Sequence, residues 1–112
     1  MTCYKRAIFQ NAAAATANGT AHDATPSSDG PYYSCTFQVQ GITTATITWE
    51  ATIDGSNWVT VRAENLNSGT LATTATADGL YRLTVLGFAQ VRARISAYTS
   101  GTITVTGTFA EM

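Results

Sequence analysis

The alternation of apolar and polar residues between Thr43 and Val61 constrains the fold more than any other feature of the chain. One parity holds Ala45, Ile47, Trp49, Ala51 and Ile53, and the other holds Thr44, Thr46, Thr48, Glu50 and Thr52. A period of two is that of an antiparallel strand with one buried face. Residues 54–57, DGSN, tolerate positive φ, and the β-prone run resumes at Trp58, Val59 and Val61. The stretch therefore predicts a β-hairpin.

The same alternation recurs along the chain. Residues 32–40 place Tyr33, Cys35, Phe37 and Val39 inward, and Gly41 is expected to end that strand. Further strands are predicted over residues 80–86, 90–98 and 102–109, the last two joined by a turn at residues 99–101. Turn signals spaced by about 8 to 13 residues are typical of a sandwich of seven or eight strands. No helical period separates the strands, which excludes a parallel α/β fold.

The predicted fold is therefore all-β, an antiparallel β-sandwich that is jelly-roll-like or immunoglobulin-like. Its predicted core consists of the large apolar residues of inward parity. These are Trp49, Phe37, Ile47, Val85, Ile95 and Val105, with Trp58 or its neighbours Val59 and Val61.

Three further segments carry weaker signals. Residues 12–24 are predicted to form a hairpin that turns at Asn18-Gly19. Residues 25–31, TPSSDGP, are predicted to be a loop because two prolines, two serines and an Asp-Gly pair leave no room for a regular element. Residues 71–76 are predicted to be a short edge strand.

The first eleven residues, MTCYKRAIFQN, concentrate aromatic, apolar and basic side chains. We expect residues 1–11 to be an N-terminal arm that binds another subunit, and residues 12–112 to be the single domain. The alternative is that residues 4–10 form the first strand. The candidate partner-binding residues in this segment are Tyr4, Lys5, Arg6, Ile8 and Phe9. Because polar residues interrupt the apolar run at Gln10, we expect no signal peptide, and no run is long enough to span a membrane.

Charge excludes one class of partner and suggests another. Charged residues make up only 12% of the chain and the formal net charge is −1, which argues against nucleic-acid binding. Small neutral residues replace them, which suits a subunit packed among neighbours, in a homo-oligomer. In so charge-poor a chain, Arg92 and Arg94, which share the outward face of one strand, are expected to contact a neighbour's carboxylates.

No catalytic, metal or cofactor site is predicted. His22 is the single histidine, and its neighbour Asp23 would point to the opposite side of an extended segment. The oxygens of Asp54, Ser56 and Asn57 fit a hydrogen-bonded turn better than a calcium site, which needs six to eight oxygens.

The two cysteines and three of the aromatic residues leave alternatives open. Cys35 has the parity of a buried residue, and whether Cys3 pairs with it is left open. The alternative function, a glycan- or receptor-binding module, would use an aromatic platform formed by Tyr32, Tyr98 and Trp58.

Four segments together resemble a known class of phage protein. They are NGTAHDA, YYSCTFQVQG, WEATIDGSNWVTV and DGLYRLTVLGFAQVRARISAYTSGTITVTGTF, and the resemblance covers about residues 17–109. This series is similar to small β-sandwich virion proteins of tailed bacteriophages. The resemblance implies a non-enzymatic structural role in the particle, as capsid decoration or as a neck, tail or fibre component. It implies major capsid or neck and tail proteins as partners, a location in the virion after synthesis in the host cytoplasm, and no catalytic residue.

Overall fold

Two long antiparallel strands form the centre of a single nine-stranded antiparallel sheet in the computed structural model, which describes residues 4–24 and 32–111. The strands are β1 (Tyr4–Ala13), β2 (His22–Asp23), β3 (Ser34–Thr52), β4 (Val59–Thr60), β5 (Ala63–Asn65), β6 (Leu71–Ala72), β7 (Thr74–Ala75), β8 (Gly79–Thr84) and β9 (Gln90–Ala110). The predicted all-β antiparallel fold is confirmed. The described part of the chain contains no helix long and apolar enough to cross a membrane. The loop predicted at residues 25–31 lies outside the described residues.

Strands β3 and β9 fold over on themselves and so turn one sheet into two facing layers. The ring centroids of Phe37 and Trp49, both on β3, are 4.7 Å apart. In a straight strand these residues would be separated by about 40 Å. The pairing of β3 with β9 shifts register where Ile42 lies opposite Gly101, so both strands bend at the same level. The interior lies between the two layers.

Two glycines and one carboxylate hold this bend. Gly41 has φ 88° and Gly101 has φ 122°, values that favour glycine. A Cβ on Gly41 would overlap the carbonyl oxygen of Thr102 on the neighbouring strand. The Asp78 carboxylate accepts hydrogen bonds from the backbone N–H groups of Gly41 (3.1 Å) and Ile42 (2.9 Å). These bonds satisfy backbone donors at the point where the bend interrupts the ladder.

The two layers differ in which short strands complete them. The layer that we call the β1 layer contains β1, residues 103–110 of β9, residues 34–39 of β3, and β8, β5 and β6. The β4 layer contains residues 45–52 of β3, residues 90–97 of β9, and the short strands β2, β4 and β7.

The core between the layers is built as the parity predicts. All six residues of the first part of the predicted core are buried, namely Phe37, Ile47, Trp49, Val85, Ile95 and Val105. Phe9 of β1 joins them, with its ring centroid 4.9 Å from that of Phe37. Gly107 makes this possible, because a Cβ there would overlap the Phe9 ring. Among the described residues, the Nε1–H of Trp49 is buried without a hydrogen-bond partner.

Two predicted strand ends are wrong for the same reason. Gly41 does not end its strand, and residues 99–101 do not form a turn, because β3 and β9 continue through both positions. A glycine with positive φ permits either a turn or a bend within a strand. Here the two glycines lie at the same level of paired strands, so the bends coincide.

Smaller corrections concern side chains near strand ends. Tyr32, predicted outward, is buried with its ring centroid 5.3 Å from that of Phe109, and Tyr33 is partly exposed, since the strand begins only at Ser34. Ile53 is 76% exposed because β3 ends at Thr52. Of the last three core candidates, Val59 is exposed and Trp58 and Val61 are half-buried.

The segment before the described gap does not form a hairpin of its own. Ala17 bridges to Ile95, and His22 pairs with Val91. Both contacts are to β9, so residues 17–23 lie along a long strand instead of pairing with one another.

The predicted boundary between an arm and the domain falls inside β1. Tyr4–Ala13 pairs antiparallel with β9, and Ala7, Phe9 and Gln10 are buried. The Gln10 side chain donates hydrogen bonds to the carbonyl oxygens of Ala93 (2.8 Å) and Ala17 (3.1 Å). Residues 4–10 are therefore part of the first strand of the sheet, as the alternative interpretation had it.

Candidate functional site

Arg92 and Arg94 contact a carboxylate of their own chain. Arg92 Nε lies 2.7 Å from Glu50 Oε1, and Arg94 Nε lies 3.1 Å from Glu50 Oε2. Glu50 is buried on β3 and lies directly opposite Arg92 on β9. The expected outward parity of the arginines is correct, but the charge that pairs with them is intramolecular. Contact with a neighbouring subunit stays a prediction for the part of Arg94 that is exposed.

The three aromatic residues considered as a sugar-binding platform are not available together. Tyr32 is buried in the core. One face of Trp58 is covered by the Arg92 guanidinium, whose Cζ is 4.1 Å from the ring centroid. Tyr98 is half-buried and its hydroxyl donates to the carbonyl oxygen of Gly101 (2.6 Å). This geometry does not favour carbohydrate binding.

Asp54 organises the turn that precedes β4. Its Oδ1 accepts from the N–H groups of Asn57 (2.8 Å) and Ser56 (2.9 Å) and from Thr52 Oγ1 (2.9 Å), and its Oδ2 accepts from Asn57 Nδ2 (2.7 Å). These bonds, led by that of the Asn57 backbone, hold the pKa of Asp54 well below its ordinary value. The predicted hydrogen-bonded turn is confirmed.

The remaining candidates for chemistry, His22 and Cys35, make packing or hydrogen-bonding contacts within the fold. His22 Nε2 donates to the carbonyl oxygen of Ile8 (2.8 Å), and its ring packs edge-on against Phe9. Cys35 is a free, buried thiol, and burial raises its pKa well above the ordinary range. Cys3 lies outside the described residues. Within residues 4–24 and 32–111, no three His, Cys, Asp or Glu side chains cluster closely enough to hold a metal ion.

The predicted binding residues of the N-terminal segment divide between the two faces of β1. Phe9 is in the core, and Lys5 is half-buried with its Nζ 5.4 Å from the centroid of the Phe109 ring. Arg6 and Ile8 are exposed on the outer face. The backbone of Tyr4 pairs with Ala110. Only Arg6 and Ile8 thus present a described, exposed side chain to a partner, and Phe9 is excluded by its burial.

Arg6 and Ile8 belong to a broad outer surface of the β1 layer, which we call the threonine face. It forms an open depression of about 890 Å³ that crosses β1, β9, β3 and β8. It is lined by Arg6, Ile8, Tyr33, Ser34, Thr36, Gln38, Leu80, Arg82, Thr84, Thr106, Thr108 and Ala110. Outward parity on four neighbouring strands brings these side chains together.

The threonine face combines short hydroxyl side chains with a few large apolar ones and two cations. Ile8 and Leu80 are each about half exposed, at 51% and 48%. Arg82 Nε donates to Thr36 Oγ1 (3.2 Å), which ties one cation to the sheet. No Asp or Glu lines the depression as far as the described residues go. Exposed apolar groups beside polar ones are typical of surfaces that contact another protein.

Part of the threonine face could be predicted from the sequence. The outward threonines of residues 36, 106 and 108 could be read from parity, whereas Tyr33, Leu80 and Arg82 had no pattern that joined them to β1. Only the strand order places them side by side, because β1 lies next to the last strand of the chain.

Comparison with known proteins identifies the relatives of this chain. The XepA family profile matches residues 4–109. The crystal structure of the SPBc2 prophage-derived protein YomS has a TM-score of 0.85 at 17% identity and covers 99% of this chain and 96% of that chain. The crystal structure of the PBSX exported protein XepA has a TM-score of 0.89 at 18% identity and covers 98% of this chain but only 38% of that chain. No curated protein sequence matches this chain.

At these identities the two crystal structures establish the shared fold. YomS is an SPBc2 prophage-derived protein, and XepA is a PBSX exported protein. Because the family profile extends over nearly the whole described chain, the chain belongs to the XepA family.

Proposed function

We propose that this protein is a non-enzymatic structural component of a phage particle, which attaches to the capsid or to the neck or tail through the threonine face. The observation that carries the proposal is that face, a wide and open surface with half-exposed apolar side chains and two arginines. The similarity of the protein's fold to that of an SPBc2 prophage-derived protein supports the phage context.

The shape and chemistry of the threonine face suit protein contact better than a small ligand. Pockets for small molecules are usually concave enough to bury most of the ligand, with a few convergent polar groups. Here the depression is open, and its polar groups are mostly hydroxyls in rows along the strands. The proposed partners are therefore the major capsid protein or neck and tail proteins, with several copies acting together so that weak contacts add up.

A matched pair of variants tests this proposal in phage particles. Leu80 lies on the threonine face and is 48% exposed, whereas Val59 lies on β4 in the other layer and is 62% exposed. Leu80→Glu should lower the amount of protein that copurifies with particles about tenfold or more, which corresponds to about 1.4 kcal/mol or more of binding free energy. Val59→Glu should copurify like the parent protein.

Thermal melting of both variants provides the folding control. Both side chains are half exposed or more, so neither change should unfold the domain. The proposal is wrong if the parent protein is absent from purified particles, or if Leu80→Glu and Val59→Glu are incorporated equally.

A further inference from the structure

We infer that the free edge of β1 binds an extended acidic segment of the partner protein as an additional strand. This inference rests on the proposed function, because it names the kind of segment that the same face recognises. It is carried by the backbone geometry at the edge of β1, by the two side chains beside that edge, and by their charge.

The backbone of β1 presents unpaired hydrogen-bonding groups on the side away from β9. β1 is the terminal strand of the sheet order. The carbonyl oxygen of Ile8 accepts from His22 Nε2, so the backbone groups of Ile8 point away from β9. Since these directions alternate along an antiparallel strand, the N–H and C=O of Arg6 point to the same free edge. Beyond Ile8 the edge is covered, because the Thr20 N–H donates to the Phe9 carbonyl oxygen (3.0 Å).

Between Arg6 and Ile8, an added strand would therefore find three backbone groups to bind: the Arg6 N–H, the Arg6 C=O and the Ile8 N–H. Pairing at an exposed sheet edge is a general mode of peptide recognition, in which main-chain bonds give affinity and alternate side chains give specificity. No described residue forms a backbone bond to Arg6 on that side.

The side chains next to the edge define what the added strand must carry. Arg6 and Ile8 both lie on the threonine face and are exposed. A strand beside β1 would place every second side chain on this face, one opposite Arg6 and the next opposite Ile8. In a strand parallel to β1, the fitting segment has an acidic residue, any residue and then an apolar residue. In an antiparallel strand the order is reversed.

Charge selects a foreign acidic segment over a second copy of β1. Arg6 forms no ion pair with a described carboxylate, and Lys5 is its neighbour. Two β1 strands paired with each other would bring these cations together, and like charges opposite one another destabilise a sheet. The second arginine of the face, Arg82, lies opposite Glu64 of β5, so Arg6 is the cation of this face that best accommodates a new carboxylate.

The test uses two short capped peptides that have threonine at every second position and differ from each other at one residue. One has Glu-Thr-Val at its centre, and the other has Lys-Thr-Val. The Glu peptide should bind the full-length protein, shift the NMR amide signals of Arg6 and Ile8, and slow their exchange with solvent. The Lys peptide should bind about tenfold or more weakly, and the variant Arg6→Glu should reverse this preference.

Two further variants separate edge pairing from general charge attraction. Arg62→Glu makes the same charge change at an exposed position off the face and should leave the preference for the Glu peptide intact. Ile8→Pro removes an edge N–H without removing a hydrogen bond to β9, so it should abolish peptide binding while the protein stays folded.

The inference is overturned by several results. These are absence of binding by the Glu peptide at about 1 mM, equal binding of both peptides, or shifts that leave the Arg6 and Ile8 amides unaffected. If Leu80→Glu is lost from phage particles while Arg6→Glu and Ile8→Pro are incorporated normally, the proposed function stands and the edge inference fails.

Discussion

At the scale of single residues, two glycines with nearly the same backbone angle have very different surroundings. Gly41 has φ 88° and Gly55 has φ 82°. A Cβ on Gly55 would enter open space, whereas one on Gly41 would overlap the Thr102 carbonyl oxygen. Gly55→Ala should therefore cost about 1 to 2 kcal/mol for the left-handed backbone alone.

Gly41→Ala should cost clearly more than that, because β3 and β9 must separate at the bend as well. Urea unfolding of the two variants measures the difference. Equal losses of unfolding free energy would show that the bend tolerates a side chain and that packing against Thr102 is unimportant.

The Asp54 turn predicts a specific pH dependence. Hydrogen bonds from Asn57 and Ser56 lower the folded-state pKa of Asp54 below its ordinary value of 3.8. The ionised carboxylate therefore stabilises the folded state. This contribution is complete above the ordinary pKa and is lost as the pH falls through the lower folded-state pKa.

Asp54→Ala should accordingly lower the melting temperature near neutral pH, and the gap to the parent protein should narrow as the pH falls below about 3.8. A chelator should leave the melting temperature of the parent unchanged. A large chelator effect, or a gap that widens in acid, would contradict the hydrogen-bonded turn.

At the scale of elements, β1 contributes to the core as well as presenting an exposed edge. Deleting residues 1–11 removes most of the strand and takes Phe9 out of the core. Loss of a buried phenylalanine alone costs about 3 to 5 kcal/mol, against a total stability of about 5 to 15 kcal/mol. We expect the truncated chain to lose cooperative unfolding in circular dichroism.

Ile8→Thr is the matched control for this deletion, since Ile8 lies on the same strand with an exposed side chain. It should change the unfolding free energy by about 0.5 kcal/mol or less. A truncated protein that melts like the full chain would restore the interpretation of residues 1–11 as a separate arm.

How much of the fold the sequence could predict depends on the information in the alternation of apolar and polar residues. Parity identified the buried faces of β3 and β9 because one face of each is apolar. Parity contains no information on whether Gly41 turns the chain back or bends it, since that depends on Thr102 and Asp78, which approach only in the folded sheet.

The same limit applies to the candidate sites. The outward direction of Arg92 and Arg94 was predictable, but their partner Glu50 is 42 and 44 residues away along the chain. The register of β3 against β9 brings the three together. Likewise, β1 looked like an unpartnered terminal segment because its partner strand is the last one in the chain.

At the scale of the whole molecule, the two layers share their central strands. β3 and β9 run through both layers, and the Phe37 ring of one layer packs on the Trp49 ring of the other. A layer that unfolded alone would have to break both strands at the bend and expose half of a common core. We therefore expect the layers to unfold together.

A core substitution in one layer, observed by a probe in the other, tests this expectation. Phe9→Ala weakens the β1 layer, and Trp49 reports on the β4 layer. Trp58→Phe in the same background leaves Trp49 as the single tryptophan and keeps an aromatic ring beneath Arg92. Trp49 fluorescence and far-UV circular dichroism should then give coincident urea transitions, both shifted by the same amount from those of Trp58→Phe alone. If the fluorescence midpoint stays in place while the circular dichroism signal splits into two steps, the layers are independent units and the shared strands do not couple them.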